Sequence, residues 1–121
     1  MILKSTSGKK FIIYDVNWHY IMGLLARNME SESTRVLATD SRYVTNKEGK
    51  KIASEIKCLL SNNLVYEVWD GIKVEPLINP TKEVLDNWGS HIQPITSKRL
   101  EFLNNMVQFL ETEHGVLKIE H

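Results

Sequence analysis

The sequence predicts an α+β fold, three to four helices packed on a small antiparallel sheet that includes the N- and C-terminal strands. Three observations carry that expectation. Apolar residues recur at helical spacing around Trp18, Ile56 and Leu103. Short β-branched and aromatic runs stand near both ends, at Phe11-Ile12-Ile13-Tyr14 and Val116-Leu117-Lys118-Ile119-Glu120. No repeat, low-complexity tract or Pro-, Gly- or Ser-rich linker divides the 121 residues, so one domain over 1–121 is expected, long enough to bury a core without disulfide or metal staples.

Phe11-Ile12-Ile13-Tyr14 reads as a buried strand that ends at Asp15. Asp15 and Asn17 are both N-cap types, because their side-chain oxygens can accept the unpaired amides of a helix start. Trp18, Ile21, Met22, Leu25 and Met29 then form one apolar stripe, with His19, Gly23 and Arg27 pointing away or to its flanks. Arg35-Val36-Leu37-Ala38 reads as a second strand, followed by a polar turn through Thr39-Asp40-Ser41-Arg42.

Thr45 and Glu48 have capping-box spacing, and Ile52, Ile56, Leu59 and Leu60 continue a helical stripe towards Asn62-Asn63. Gly49 costs about 1 kcal/mol inside a helix, which leaves Thr45 to Gly49 open between a first helical turn and a loop. Leu64-Val65-Tyr66-Glu67-Val68-Trp69 fits a strand, with Asp70-Gly71 as a hairpin turn into Ile72-Lys73-Val74; an extension of the preceding helix is the alternative. Asn79-Pro80 opens a short helix carrying Val84, Leu85 and Trp88 on one side as far as Gly89.

Thr96 or Ser97 caps the last helix, whose core face is Leu100, Leu103, Met106, Val107 and Leu110, broadened by Phe102 and Phe109. Gly115 suits a left-handed helix end after His114, and the terminal strand that follows is expected to pair with the Phe11 strand.

Fifteen basic and fifteen acidic residues cancel, which removes the overall positive field of a dedicated nucleic-acid coat. Locally, Arg27 to Lys57 carries a surplus of two positive charges. Glu67 to Asp86 holds Glu67, Asp70, Glu75, Glu83 and Asp86 against Lys73 and Lys82, three negative charges in excess. A single cysteine, Cys58, excludes an internal disulfide and a thiolate zinc cage built from this chain alone; two positions after Ile56, it reads as buried filler. Met1-Ile2-Leu3-Lys4-Ser5 lacks the apolar run of a signal peptide, and no stretch approaches the length of a membrane span, so a reducing, cytoplasmic setting without membrane contact is expected.

None of His19, His91, His114 and His121 stands three or four positions from another His or from the Cys, so no metal site is expected. Asp15, Asn17 and His19 place an acid, an amide and an imidazole together, but helix capping accounts for the first two without a substrate. No serine has nucleophile-elbow glycines, and Gly8-Lys9-Lys10 lacks the rest of a phosphate loop. The expected catalytic residues and cofactors are therefore none. Lys47, Lys50, Lys51 and Lys57 lie along one helix and can meet phosphates, against the opposing charge of Glu48 and Glu55. Trp18 and Trp88 fall on helical stripes and read as core. Trp69 stands beside a turn, and with Tyr66 and the acidic Glu67, Asp70 and Glu75 it makes a candidate acidic, aromatic surface for a basic protein.

Asp15-Val16-Asn17-Trp18 opening a helix, Tyr43-Val44-Thr45-Asn46 with Gly49 before a second, and Phe109-Leu110 followed by Gly115-Val116-Leu117-Lys118-Ile119 together resemble a group of small uncharacterised bacterial and phage-borne domains. The resemblance covers about half the chain and implies a stand-alone α+β module without known catalytic residues, encoded among mobile or defence-related genes. The expectation for function is a non-enzymatic protein-binding module, an immunity protein or inhibitor that neutralises a toxin, nuclease or defence component. The alternative is a nucleic-acid-associated accessory protein working through the four lysines.

Overall fold

The computed structural model describes residues 1–27, 32–38, 43–113 and 117–120. Met29, the turn at Thr39-Asp40-Ser41-Arg42, His114, Gly115, Val116 and His121, each given a role above, lie outside them. The fold is α+β as expected, with β1 (Ile2–Lys4), β2 (Lys10–Ile12), α1 (Asp15–Leu25), α2 (Ser33–Ala38), β3 (Tyr43–Val44), α3 (Asn46–Asn62), β4 (Val65–Trp69), β5 (Val74–Ile78), α4 (Lys82–Trp88), β6 (Ile92–Pro94), α5 (Ser97–Thr112) and β7 (Leu117–Glu120). A 3-10 turn, Gly89–His91, joins α4 to β6.

The strands form two antiparallel sheets rather than one, a four-stranded sheet in the order β2-β1-β7-β3 and a three-stranded sheet in the order β5-β4-β6. The terminal strand therefore pairs not with the Phe11 strand but with β1, in the register Leu3 to Ile119; β1 stands between it and β2. Leu3 and Ile119 are fully buried and join a core built from α1, α2, α3 and α5. Phe11 packs its ring against Phe102 and Phe109 of α5, with centroids 5.4 and 5.5 Å apart.

The long helices follow their sequence signals. Thr45 and Glu48 form the full capping box, which places Gly49 inside α3 instead of in a loop. The approach of α5 does not require the glycine: an added Cβ would sit 3.6 Å from the Leu110 carbonyl oxygen, an ordinary contact. Thr96 caps α5 by accepting from the Arg99 amide at 3.2 Å. Leu103, Met106, Val107 and Leu110 are buried, while Leu100, in the first turn, is exposed.

Several elements differ from expectation for local reasons. Helix α1 starts at Asp15, with Tyr14 at the N-cap and no side-chain cap bond, so neither Asp15 nor Asn17 caps it. Its buried residues are Tyr20, Ile21, Leu24 and Leu25; Trp18 and Met22 are partly buried at the flank. Arg35-Val36-Leu37-Ala38 is helical, part of α2, rather than a strand; the four residues are too few for either period to be read. Residues 65–69 form a strand, and the hairpin to β5 is closed by Asp70, whose Oδ1 accepts from the Ile72 and Lys73 amides at 2.9 Å each, with Gly71 at φ +96°.

Asn79 does not cap α4. It adopts φ +52° and ties the strand start instead, accepting from the Leu64 amide at 2.8 Å, while Thr81 provides the cap. Trp88 is not core: α4 has no buried residue. Cys58 is exposed, since two helical steps from the buried Ile56 carry it to the opposite side of α3. Among the described residues no helix is long and apolar enough to cross a membrane.

Candidate functional site

In β4, period-two alternation puts Val65, Glu67 and Trp69 on the face that meets α1, and Tyr66 and Val68 on the other. Pro76, the cross-strand neighbour of Glu67, lies against Gly23 of α1 so closely that a Cβ there would fall 2.9 Å from its ring. Glu67 is consequently 3% exposed, and its charge is met from α5. Arg99 donates from Nε to Glu67 Oε1 at 2.6 Å; the Thr96 amide and hydroxyl reach the same oxygen at 3.2 and 3.4 Å. Arg99 also donates to Asn17 Oδ1 at 2.8 Å and lies 4.7 Å from the centre of the Tyr20 ring. Tyr20 in turn donates to the Tyr66 carbonyl at 3.3 Å, and burial pushes its phenol well above the ordinary value, so it stays protonated as a donor.

This network joins α1, β4 and α5, and it redistributes the expected acidic surface. Glu67 is not part of a solvent-facing patch; it is the buried anchor beneath one. Asp70 is exposed but engaged in the turn, where the Lys73 and then the Ile72 amide hold its carboxyl below the ordinary carboxylate range. Glu75 is paired with Lys73 at 3.2 Å. Tyr66 is half-buried, whereas Trp69 is 48% exposed.

Two further apolar residues stand at the same end of the small sheet. Ile72, at the hairpin tip, is 87% exposed, and Trp88, three residues before His91, is 47% exposed. Register brings both segments to this end: Ile72 lies in the turn that closes β4 onto β5, and Val68 pairs with Ile92, so the 3-10 turn that follows Trp88 comes alongside Trp69. A cavity of about 100 Å³ lies there, lined by Glu67, Trp69, Val74, Ser90, His91 and Gln93. Sequence reasoning missed Trp88, Ile72, Ser90 and Gln93; the helical stripe of α4 hid the first, and the others gave no local signal.

The remaining candidates are dispersed. Asp15 and His19 are both exposed, no hydrogen bond among the described residues joins them, and Asn17 between them is taken by Arg99. Lys57 pairs with Glu111 of α5, so three of the four lysines, Lys47, Lys50 and Lys51, remain without an ion pair among the described residues. Lys47 and Lys51 line a groove of about 300 Å³ that also contains Glu32 and Glu48. No group of three His, Cys, Asp or Glu side chains suited to a metal ion occurs among the described residues.

The chain matches no family model, no curated protein and no solved structure.

Proposed function

We propose that this chain is a protein-binding module that docks its partner on the hairpin end of the three-stranded sheet. The observation that carries this reading is the exposure of Trp69, Ile72 and Trp88 at one end of a sheet whose backbone is pinned from below by the Glu67–Arg99 pair. Large aromatic side chains on a rigid base cost little conformational entropy on binding and make effective anchors. With Glu67 matched by Arg99, the rim from residue 70 to 86 still carries Asp70, Glu75, Glu83 and Asp86 against Lys73 and Lys82, which favours a partner presenting apolar and basic groups.

Docking runs through side chains rather than by strand addition. The sheet's edge strands β5 and β6 each contain a proline, Pro76 and Pro94, which has no amide to donate, and Arg27 already takes the Pro76 carbonyl at 2.9 Å. An inhibitor or immunity protein, acting by covering a surface of a toxin, nuclease or defence component, is the specific form of this proposal; it also takes up the sequence resemblance.

Capture of partners from the native cell, with the wild-type chain beside Trp69→Ala and Trp88→Ala, tests it. Loss of about 2 kcal/mol or more, roughly thirtyfold in affinity, is expected for Trp69→Ala. A partner set unchanged by both substitutions refutes it. The nucleic-acid alternative rests on Lys47, Lys50 and Lys51, and predicts binding to DNA or RNA that weakens steeply as salt rises.

A further inference from the structure

We propose that the cavity beside Glu67 is a socket for the charged head of a lysine or arginine side chain supplied by the docked partner; the source of that side chain rests on the protein-binding reading above. Glu67 is buried, and all three of its donors converge on Oε1. Among the described residues, nothing donates to Oε2. Buried carboxylate oxygens are almost always hydrogen-bonded, so one without a donor, on a side chain that lines a cavity, asks for a donor to be supplied there.

The lining fits a cation. Glu67 and Trp69 lie on one face of β4, and their cross-strand neighbours Gln93 and Val74 complete the wall. Carboxylate, amide carbonyl and the Ser90 hydroxyl are acceptors, and an indole face attracts cations. Among the described residues no lysine or arginine lines the cavity, and His91 is the one basic side chain there. Arg99 is engaged by Glu67 Oε1, Asn17 and the Tyr20 ring and is not among the residues that line the cavity. A cavity of about 100 Å³ has room for an ammonium or guanidinium head. The acidic groups nearby, Asp70 and Glu75, add attraction at longer range.

The experiment titrates the full chain with acetyl-lysine amide and acetyl-arginine amide, following backbone, indole and side-chain amide resonances by NMR. The neutral counterparts acetyl-norleucine amide and acetyl-citrulline amide are run at matched ionic strength. Saturable shifts at the Trp69 indole and the Gln93 amide are expected from the cationic probes, with affinity at least tenfold weaker for the neutral ones. Gln93→Lys brings an ammonium next to Glu67 from the neighbouring strand and should abolish those shifts while the resonances of the four-stranded sheet stay in place. Glu67→Gln should weaken cation binding at least tenfold; should that variant not fold, Gln93→Lys and Trp69→Leu decide the matter.

Equal shifts from neutral probes, or cation binding that survives Gln93→Lys, overturn the socket. Tighter binding of putrescine than of acetyl-lysine amide overturns it as well, by reassigning the cavity to a free amine. A chain whose partner depends on Trp69 but that ignores the cationic probes keeps the docking surface and loses the socket. A chain that binds the probes but captures no partner does the reverse.

Discussion

In the four-stranded sheet the central pair is apolar, Leu3 facing Ile119 across β1 and β7 with both fully buried. The central strand of the three-stranded sheet instead buries Glu67 and leaves the next inward-facing residue, Trp69, half in solvent. The first sheet is held by area removed from water, a force without direction that any well-packed apolar set supplies. The second shares that core through Val65, Val74 and Ile78, and adds a directional network of Arg99, Thr96 and Asn17 around Glu67. The region that carries the polar network presents Trp69, Ile72 and Trp88 outward, and there the candidate site lies.

The largest expected effect breaks the network. Arg99→Ala strands the Glu67 carboxylate and should cost about 3–5 kcal/mol in denaturant unfolding. Lys57→Ala, which removes a half-exposed pair with Glu111, should cost no more than about 1 kcal/mol. Similar costs for the two would show that the buried network supports the small sheet no more than a surface pair does.

Two glycines inside helices sharpen it, with opposite signs. Gly23→Ala drives a Cβ into the Pro76 ring at 2.9 Å and should destabilise by about 1–3 kcal/mol, offset by roughly 1 kcal/mol of helix propensity. Gly49→Ala meets only ordinary contacts and should stabilise by about 0.5–1 kcal/mol. Thermal or urea midpoints read both; a stabilised Gly23→Ala would show that α1 and β5 are not in close contact.

Acid compares one carboxylate from each region and should have the smallest effect. Glu113, at the end of α5, is held below its ordinary 4.5 by the Ser5 hydroxyl first, then Ser7 and Lys9, partly opposed by desolvation. Asp70 is held below 3.8 by the Lys73 and Ile72 amides. A depressed native pKa gives stability that is complete above the unfolded value and is lost as pH falls through the native one. Unfolding measured across a pH series should therefore weaken first below 4.5, a step removed by Glu113→Gln, and further below 3.8, a step removed by Asp70→Asn.

What the sequence made legible follows the same division. Helices α3 and α5 were readable because an apolar period and a capping residue agree in each, and the Asp70-Gly71 hairpin because turn chemistry is local. Strand β1 escaped because three residues carry no period, and the inward face of α1 because apolar residues surround most of that helix. The Glu67–Arg99 pair spans 32 positions and leaves no local trace. Its one available clue was alternation: Val65, Glu67 and Trp69 share a face, so a strand burying Val65 must also turn Glu67 inward, where a charge demands a partner.

The strand order of the larger sheet also governs how the chain can be made. Strand β7 separates β1 from β3 and is bonded to both, so no interior strand of that sheet gains its second neighbour until residues 117–120 have left the ribosome. Without β7, a β1–β2 pair has one flank bare and β3 has no strand of its sheet to join. Closure thus waits for β7, bridging more than a hundred positions in a single step.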